Sequence, residues 1–583
     1  MPRTPKKKPA RRSPAAPPRR LELPGPRWLV PLALAAIVLV GLGLRAADLR
    51  ADPPPDLSWS FAPWTDEGLN AYSARSLVLH GAWKTDDFFP FVVYPLFNLL
   101  VALAFRLFGV GFVSVKLVSL LAGLGSIVAL YFLVRSSAGR LAGLIAALLL
   151  ALCYPHVMYT RLGLVESLQV LFLLLTGLCW AKGLERPWAL ALSGLFAAGT
   201  VLLVKISALF VAPVMLVMLI VLAVEARRDP ARKAGLGRDV GLFFAGVGAA
   251  VAVWLAVVVL PHSRDYVTYV LRHSFESPAG HPADPAAYLL NTFTVGAASR
   301  LFPKLGVTAL AGFLLLPGLG LSRRPAFRYL LAWFVFALLM LGWMNYRPPR
   351  YEVILLPPFI AAVAAGIARL IEDGTLLPAA RAGWLRALGW TAWLWPLAVQ
   401  LLIHSGGFGG ALASSTAGGA LGAGLGVAVA LAAVSLGLAR LARSGLSLAR
   451  PAGRFVLAGI LLALIVRLDL AQFARWHSNR THDMVRYSQE LDRVLPDGAV
   501  LAGGWAPALL VESRKRALCL TDWANNDDPV GRFGMTHLVS HEENDINLLE
   551  KNRPGLRALL RPVWQGRVRG TRLTAFELAR PGE

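Results

Sequence analysis

Long apolar stretches, each closed by a short polar gap, run along most of the chain. A helix of roughly 17–25 apolar residues is long enough to cross a bilayer. About thirteen such stretches are predicted, near 28–44, 113–134, 141–158, 165–182, 188–204, 206–224, 240–260, 305–321, 327–344, 351–371, 385–403, 418–440 and 453–470. The apolar piece 91–109 is interrupted by Pro95 and Asn98 and ends near Arg106, which predicts a re-entrant or interface-lying helix. Near residue 471 the pattern changes. HDMVRYSQELDRVLP spaces Met484, Val485, Leu491 and Val494 as a helix would. Strand-like runs at 499–503, 516–520, 536–540 and 574–579 then alternate with helical pieces at 506–513 and 546–552, which predicts a small α/β domain.

The expected fold class is thus an α-helical polytopic membrane protein with a small C-terminal α/β extracytoplasmic domain. Its parts are a basic tail (1–27) too rich in Pro, Lys and Arg to fold, a membrane domain (28–470) holding a long loop at 45–112, and the α/β domain at 471–583. The tail and 28–44 read as an uncleaved first span, because the apolar run exceeds a signal-peptide core.

Composition agrees: 56% of the 583 residues are hydrophobic and 16% charged, where soluble domains carry about 25% charged residues. The net charge of +25 sits largely in the tail and in the gaps between spans. There it fixes cytoplasmic orientation and attracts anionic headgroups, so membrane lipid is an expected partner and nucleic acid is not. Segments 135–140, 225–239, 322–328 and 439–454 are predicted to be cytoplasmic with the N-terminus. Loops 45–112 and 261–304 and the C-terminal domain then fall on the other side. Cys153, Cys179 and Cys519 have neither metal nor disulfide spacing.

Four polar clusters stand where lipid should be. Asp66 and Glu67 adjoin in the first loop; paired carboxylates at a bilayer surface are costly to desolvate and fit a general base. Thr65 as N-cap, with two acids in a first helical turn, would account for them equally well. Arg161 and Glu166 are five apart, which on one helix would point them at different neighbours. Lys205 interrupts a long apolar run and marks a hairpin turn, where it either snorkels or serves as a counter-charge for phosphate. Arg347 and Arg350 precede a span whose Pro357 and Pro358 should disturb the helix; Glu352 could neutralise one of them. Under one topology all four clusters share the extracytoplasmic face, which points to a common site.

At these residues the chain resembles the polytopic GT-C glycosyltransferases of the protein O-mannosyltransferase and lipid A aminoarabinose transferase kind. The resemblance covers most of the first 225 residues and returns around 340–366. It rests on Asp66-Glu67, the segment from Tyr94-Pro95 to Phe108-Gly109, Arg161 through Glu166, the lysine of LLVKISALF, and Arg350-Tyr351 followed by Pro357. Glu166, where relatives often carry aspartate, and Glu352, in place of an apolar residue, depart from it.

The resemblance implies an enzyme that moves a sugar from a polyprenyl-phosphate donor to a hydroxyl or phosphate of a glycolipid, protein or polysaccharide, with inversion, at the extracytoplasmic face of a bacterial inner membrane. Asp66 would be the base, with Glu67 and Glu166 completing an acidic pocket. Lys205 and Arg350, assisted by Arg161 and Arg347, would bind the donor phosphate. Tyr72, Tyr94 and Tyr351 would line the substrate groove, which the 91–109 segment borders. Paired acids could also hold Mg²⁺ or Mn²⁺. His273 to Glu276 and His477 to His482 are loose metal spacings better read as solvated loops. The competing classes are a flippase for lipid-linked sugars, which should show internal repeats, and a non-catalytic scaffold.

Overall fold

The computed structural model describes residues 28–274, 281–282, 284–295, 301–316, 319, 324–377, 446–447 and 450–579. The apolar stretches expected at 385–403 and 418–440, the basic tail, and the side chains of His273 and Glu276 lie outside this set. Eight helices among the described residues are long and apolar enough to cross a membrane. The expected spans 113–134 and 141–158 form one of these, α5 (Phe112–Leu152), folded back at Gly139, whose φ of 94° is open to glycine without strain. The expected 188–204 is found at those bounds as the apolar helix Trp188–Val204, and within the expected 305–321 the helix is shorter, at Val307–Leu315. The chain is an integral, multi-pass membrane protein.

The first helix, α1 (Leu29–Ala46), leads into a loop that carries α2 (Ala62–Asn70), α3 (Tyr72–His80) and α4 (Pro95–Phe108). The last has one buried face, including Phe97, Asn98 and Val101, and an exposed apolar face of Leu99, Leu103 and Leu107. After α5 come α6 (Tyr154–Thr160) and α7 (Val165–Gly183). The apolar run around Lys205 breaks where predicted: a π turn at Thr200–Val204 gives way to extended backbone at Lys205 and a 3₁₀ turn at Ile206–Phe210.

The final long helix extends to Ser478, past the predicted boundary at 470. Beyond it stands a five-stranded sheet of β1 (Val500–Ala502), β2 (Arg516–Leu518), β3 (His537–His541), β4 (Leu560–Val568) and β5 (Thr571–Leu578). Its order is β2-β1-β3-β5-β4, parallel through β1–β3 and antiparallel through the β4–β5 hairpin. Strand β4 had no prediction; its first half, Leu-Arg-Pro-Val, is largely exposed, apolar and polar residues alike, and carries a proline, which hides the alternation that betrays a strand.

The sheet domain and the first loop are laced together. Tyr72 reaches Asp86 and the Ala517 carbonyl, Arg75 donates to Ser513 and Lys515 carbonyls, and Arg516 donates to Thr85. Asp52 accepts backbone N–H groups of Asp483 (2.6 Å) and Met484 (3.2 Å), so a loop carboxylate caps the helix Asp483–Val494.

Candidate active site

Helix α2 starts at Ala62 with Phe61 as its unassisted N-cap, and Pro63 fits its first turn. Thr65 is therefore inside the helix, with its hydroxyl 3.5 Å from the Phe61 carbonyl. The capping account of the acids is overturned: Asp66 and Glu67 lie past the first turn and are buried. Consecutive helical residues diverge by about 100°, and the two carboxylates go separate ways.

Asp66 Oδ2 lies 2.8 Å from Arg350 Nε. That nitrogen is 3.6 Å from Glu166 Oε1, which accepts from Lys205 Nζ at 2.6 Å. Acid and base alternate along Asp66, Arg350, Glu166 and Lys205, and each is at least nine-tenths buried. Both cations face the Tyr351 ring, Lys205 Nζ at 4.0 Å and Arg350 Cζ at 4.8 Å from its centre. Removing one member of such a buried pair typically costs ~3–5 kcal/mol, because the other charge is stranded. One donor is spare: the buried Arg350 Nη1 has no hydrogen-bond partner among the described residues. Burial pushes the Asp66 carboxyl up to about 6, with Arg350 opposing and Glu166 adding to the rise.

Four local features bring these groups together. Asp66 comes from α2 and Glu166 from the first turn of α7. Lys205 sits at the helix break. Arg350 belongs to the short helix Pro349–Glu352, followed by a 3₁₀ turn at Val353–Leu355 and the helix Leu356–Asp373. Pro357 and Pro358 lack the N–H groups that would bond to the Val353 and Ile354 carbonyls, so the irregularity falls before them.

Glu67 lies outside this chain of charges. It accepts the Gly163 N–H at 2.8 Å and pairs with Lys116 Nζ at 3.6 Å; burial raises its carboxyl, opposed by Lys116. Arg161 also points elsewhere. It donates to the carbonyls of Leu44, Arg45, Ala47 and Asp48 at the end of α1 and lies over the Trp476 ring. Arg161 and Glu166 diverge as predicted, for a different reason: a break separates α6 from α7. Arg347 contacts Asn291 and is in electrostatic reach of Glu352. Tyr72 faces the sheet domain. Tyr94, by contrast, is in electrostatic reach of Lys205, Tyr351 and Glu166.

Two residues that hold the site have no prediction. Lys116 also donates to the Leu49 and Ala51 carbonyls; a lone lysine in the first turn of an apolar span was its visible signal. Arg45 is fully buried and bonds to Thr160, His156 and the Gly41, Leu150 and Ala151 carbonyls. Its signal was a positive charge on the side where the positive-inside pattern wants none.

Among the described residues no three His, Cys, Asp or Glu side chains gather as metal ligands. His482 contacts Asp48, while His477 stacks on Phe473. The carboxylates of Asp66 and Glu166 already face a guanidinium and an ammonium.

Helices broken at charged residues, a loop bearing a buried acid, and a sheet domain docked on that loop define this polytopic membrane protein. Residues 90–254 match the model of the family Dolichyl-phosphate-mannose-protein mannosyltransferase. The structure is similar to that of ArnT from Cupriavidus metallidurans bound to undecaprenyl phosphate, with a TM-score of 0.52, 15% identity, and coverage of 94% of this chain and 98% of that one. For ArnT of the same organism in the apo state the TM-score is 0.53 and the identity 16%, over 94% and 97% of the two chains. No curated protein sequence matches the chain.

Proposed function

We propose that the protein is a glycosyltransferase that moves a sugar from a polyprenyl-phosphate donor to an acceptor hydroxyl or phosphate, with inversion. The reaction lies on the extracytoplasmic face of a bacterial inner membrane, with the N-terminus cytoplasmic and the C-terminus opposite. The observation that carries this reading is the buried Arg350, which touches Asp66 through Nε and leaves Nη1 unpaired. A phosphate oxygen is a fitting acceptor for that group, and the matched family and the lipid bound to ArnT agree with such a donor.

In the proposed reaction the acceptor oxygen attacks the anomeric carbon as Asp66 takes its proton. The bond from that carbon to the phosphate oxygen breaks, and polyprenyl phosphate leaves with the electron pair. Arg350 and Lys205 meet the charge that develops on the phosphate. A phosphate drawn to Arg350 competes with Asp66 for the guanidinium, which frees the carboxylate for the acceptor. Glu166 holds the two cations in place, and the exposed apolar face of α4 borders the prenyl chain. No step needs a metal.

The test supplies radiolabelled polyprenyl-phosphate sugars and membrane-derived acceptors to the purified protein. Labelled product from the wild type but not from Asp66→Asn is expected. Full transfer by Asp66→Asn would remove Asp66 as base, and sugar-lipid flipping without product would make the protein a transporter.

A further inference from the structure

Glu166 and Lys205 stand at the first ends of two membrane helices, α7 and Ile206–Ala226. At the other ends of the same helices is a second charged feature. A cavity of about 680 Å³ opens there, rimmed by Arg228, Arg232, Arg324 and Arg328, with Glu225 and Asp229 among them. Glu225 accepts from Arg328 at 2.6 Å and from Arg232 at 3.2 Å, and so joins the end of one helix to the start of Pro325–Gly342. Among the described residues four guanidiniums and two carboxylates rim the cavity.

Beneath it an apolar cleft of about 10 Å³, lined by Trp180, Met218, Val221 and Leu222 and sharing Glu225 and Arg328 with the cavity, has no more room than one water molecule needs. Leu216, Ile220 and Val224, on the same helix, are exposed, so the opening adjoins an apolar outer surface. From Glu166 to Leu184, at ~1.5 Å per helical residue, is about 27 Å, close to the ~30 Å of a hydrocarbon core. The cavity therefore lies at the opposite membrane surface from Asp66.

Guanidinium forks match phosphate oxygens, the exposed apolar face of Leu216, Ile220 and Val224 matches an acyl chain, and basic pockets between membrane helices are a known setting for anionic headgroups. We propose that this cavity binds the phosphate headgroup of an anionic membrane phospholipid, with an acyl chain lying along the exposed face of Leu216, Ile220 and Val224. The lipid bridges the helices ending at Glu225 and beginning at Pro325. This site is independent of the transfer reaction.

The test is native mass spectrometry of the full chain in detergent, titrated with phosphatidylglycerol, phosphatidylcholine or inorganic phosphate. At least tenfold tighter binding of phosphatidylglycerol than of phosphatidylcholine is expected. Arg228→Glu/Arg232→Glu, at two exposed positions, should abolish that preference, and Arg228→Lys/Arg232→Lys should retain most of it. Equal binding of the two lipids by the wild type overturns the proposal, as does an undiminished preference in the double glutamate variant. If inorganic phosphate displaces phosphatidylglycerol at equal concentration, the acyl chain contributes nothing and the lipid assignment fails. Should the glutamate variant not fold, the wild-type lipid comparison and the lysine variant still decide the question.

Discussion

Gly68 lies against the backbone of Ala508: a Cβ at Gly68 would stand 2.4 Å from the Ala508 nitrogen. The sheet domain thus packs directly on the helix that carries Asp66, two residues away. Gly68→Ala must push the two apart, and overpacking of this kind costs ~1–3 kcal/mol. A lowered melting temperature and slower transfer are expected together. Gly43→Ala, where a Cβ meets nothing within 4 Å, is the control and should change neither.

Asp66 should set the acid side of the pH profile. Burial raises its carboxyl to about 6, and a general base works only when ionised. The rate should therefore fall as pH drops through about 6 and level off above it. Asp66→Asn should slow transfer by ~10²–10⁴-fold and remove that limb from whatever activity remains, as measured by kcat/KM across pH 4.5–8.

Glu67 and Lys116 should behave as a structural pair. Their side chains are buried at 3.6 Å, and Lys116→Met strands the Glu67 charge at a typical cost of ~3–5 kcal/mol. Lys116→Met/Glu67→Gln should recover most of that loss in thermal melts. If Glu67→Gln alone leaves stability unchanged but removes transfer, Glu67 belongs to the chemistry instead.

Arg350→Lys keeps a charge but loses the fork and its spare Nη1. The expected effect is a rise of at least tenfold in KM for the lipid donor, since bidentate contact to phosphate is lost. Dialysis against EDTA should leave transfer within twofold, because Lys205 and Arg350 supply the positive charge. A larger loss restored by Mg²⁺ or Mn²⁺ would put a metal between Asp66 and Glu166.

Much of this was legible in the sequence, because charges in apolar runs are conspicuous: Asp66, Glu166, Lys205 and Arg350 stood out, and they converge. What failed was the direction of individual side chains. Glu67 was inseparable from Asp66 until the helix start at Ala62 set their divergence. Arg161 looked like a phosphate ligand, yet it satisfies carbonyls at the end of α1, a need that only the tertiary arrangement reveals. Arg228, Arg232 and Arg328 were visible as topology markers; their gathering around one cavity depends on which helix ends meet.

The capping of residues 483 and 484 by Asp52 has a consequence for the timing of synthesis. The two partners are separated by about 430 residues, which take roughly 20–90 s to translate at ~5–20 residues per second. Through that interval Asp52 waits without the helix it caps, and the first loop without its docking surface. A chain that stops short of the sheet domain lacks the Ala508 backbone that packs on the Asp66 helix. Completion of the C-terminus thus acts as the final checkpoint for maturation of the site.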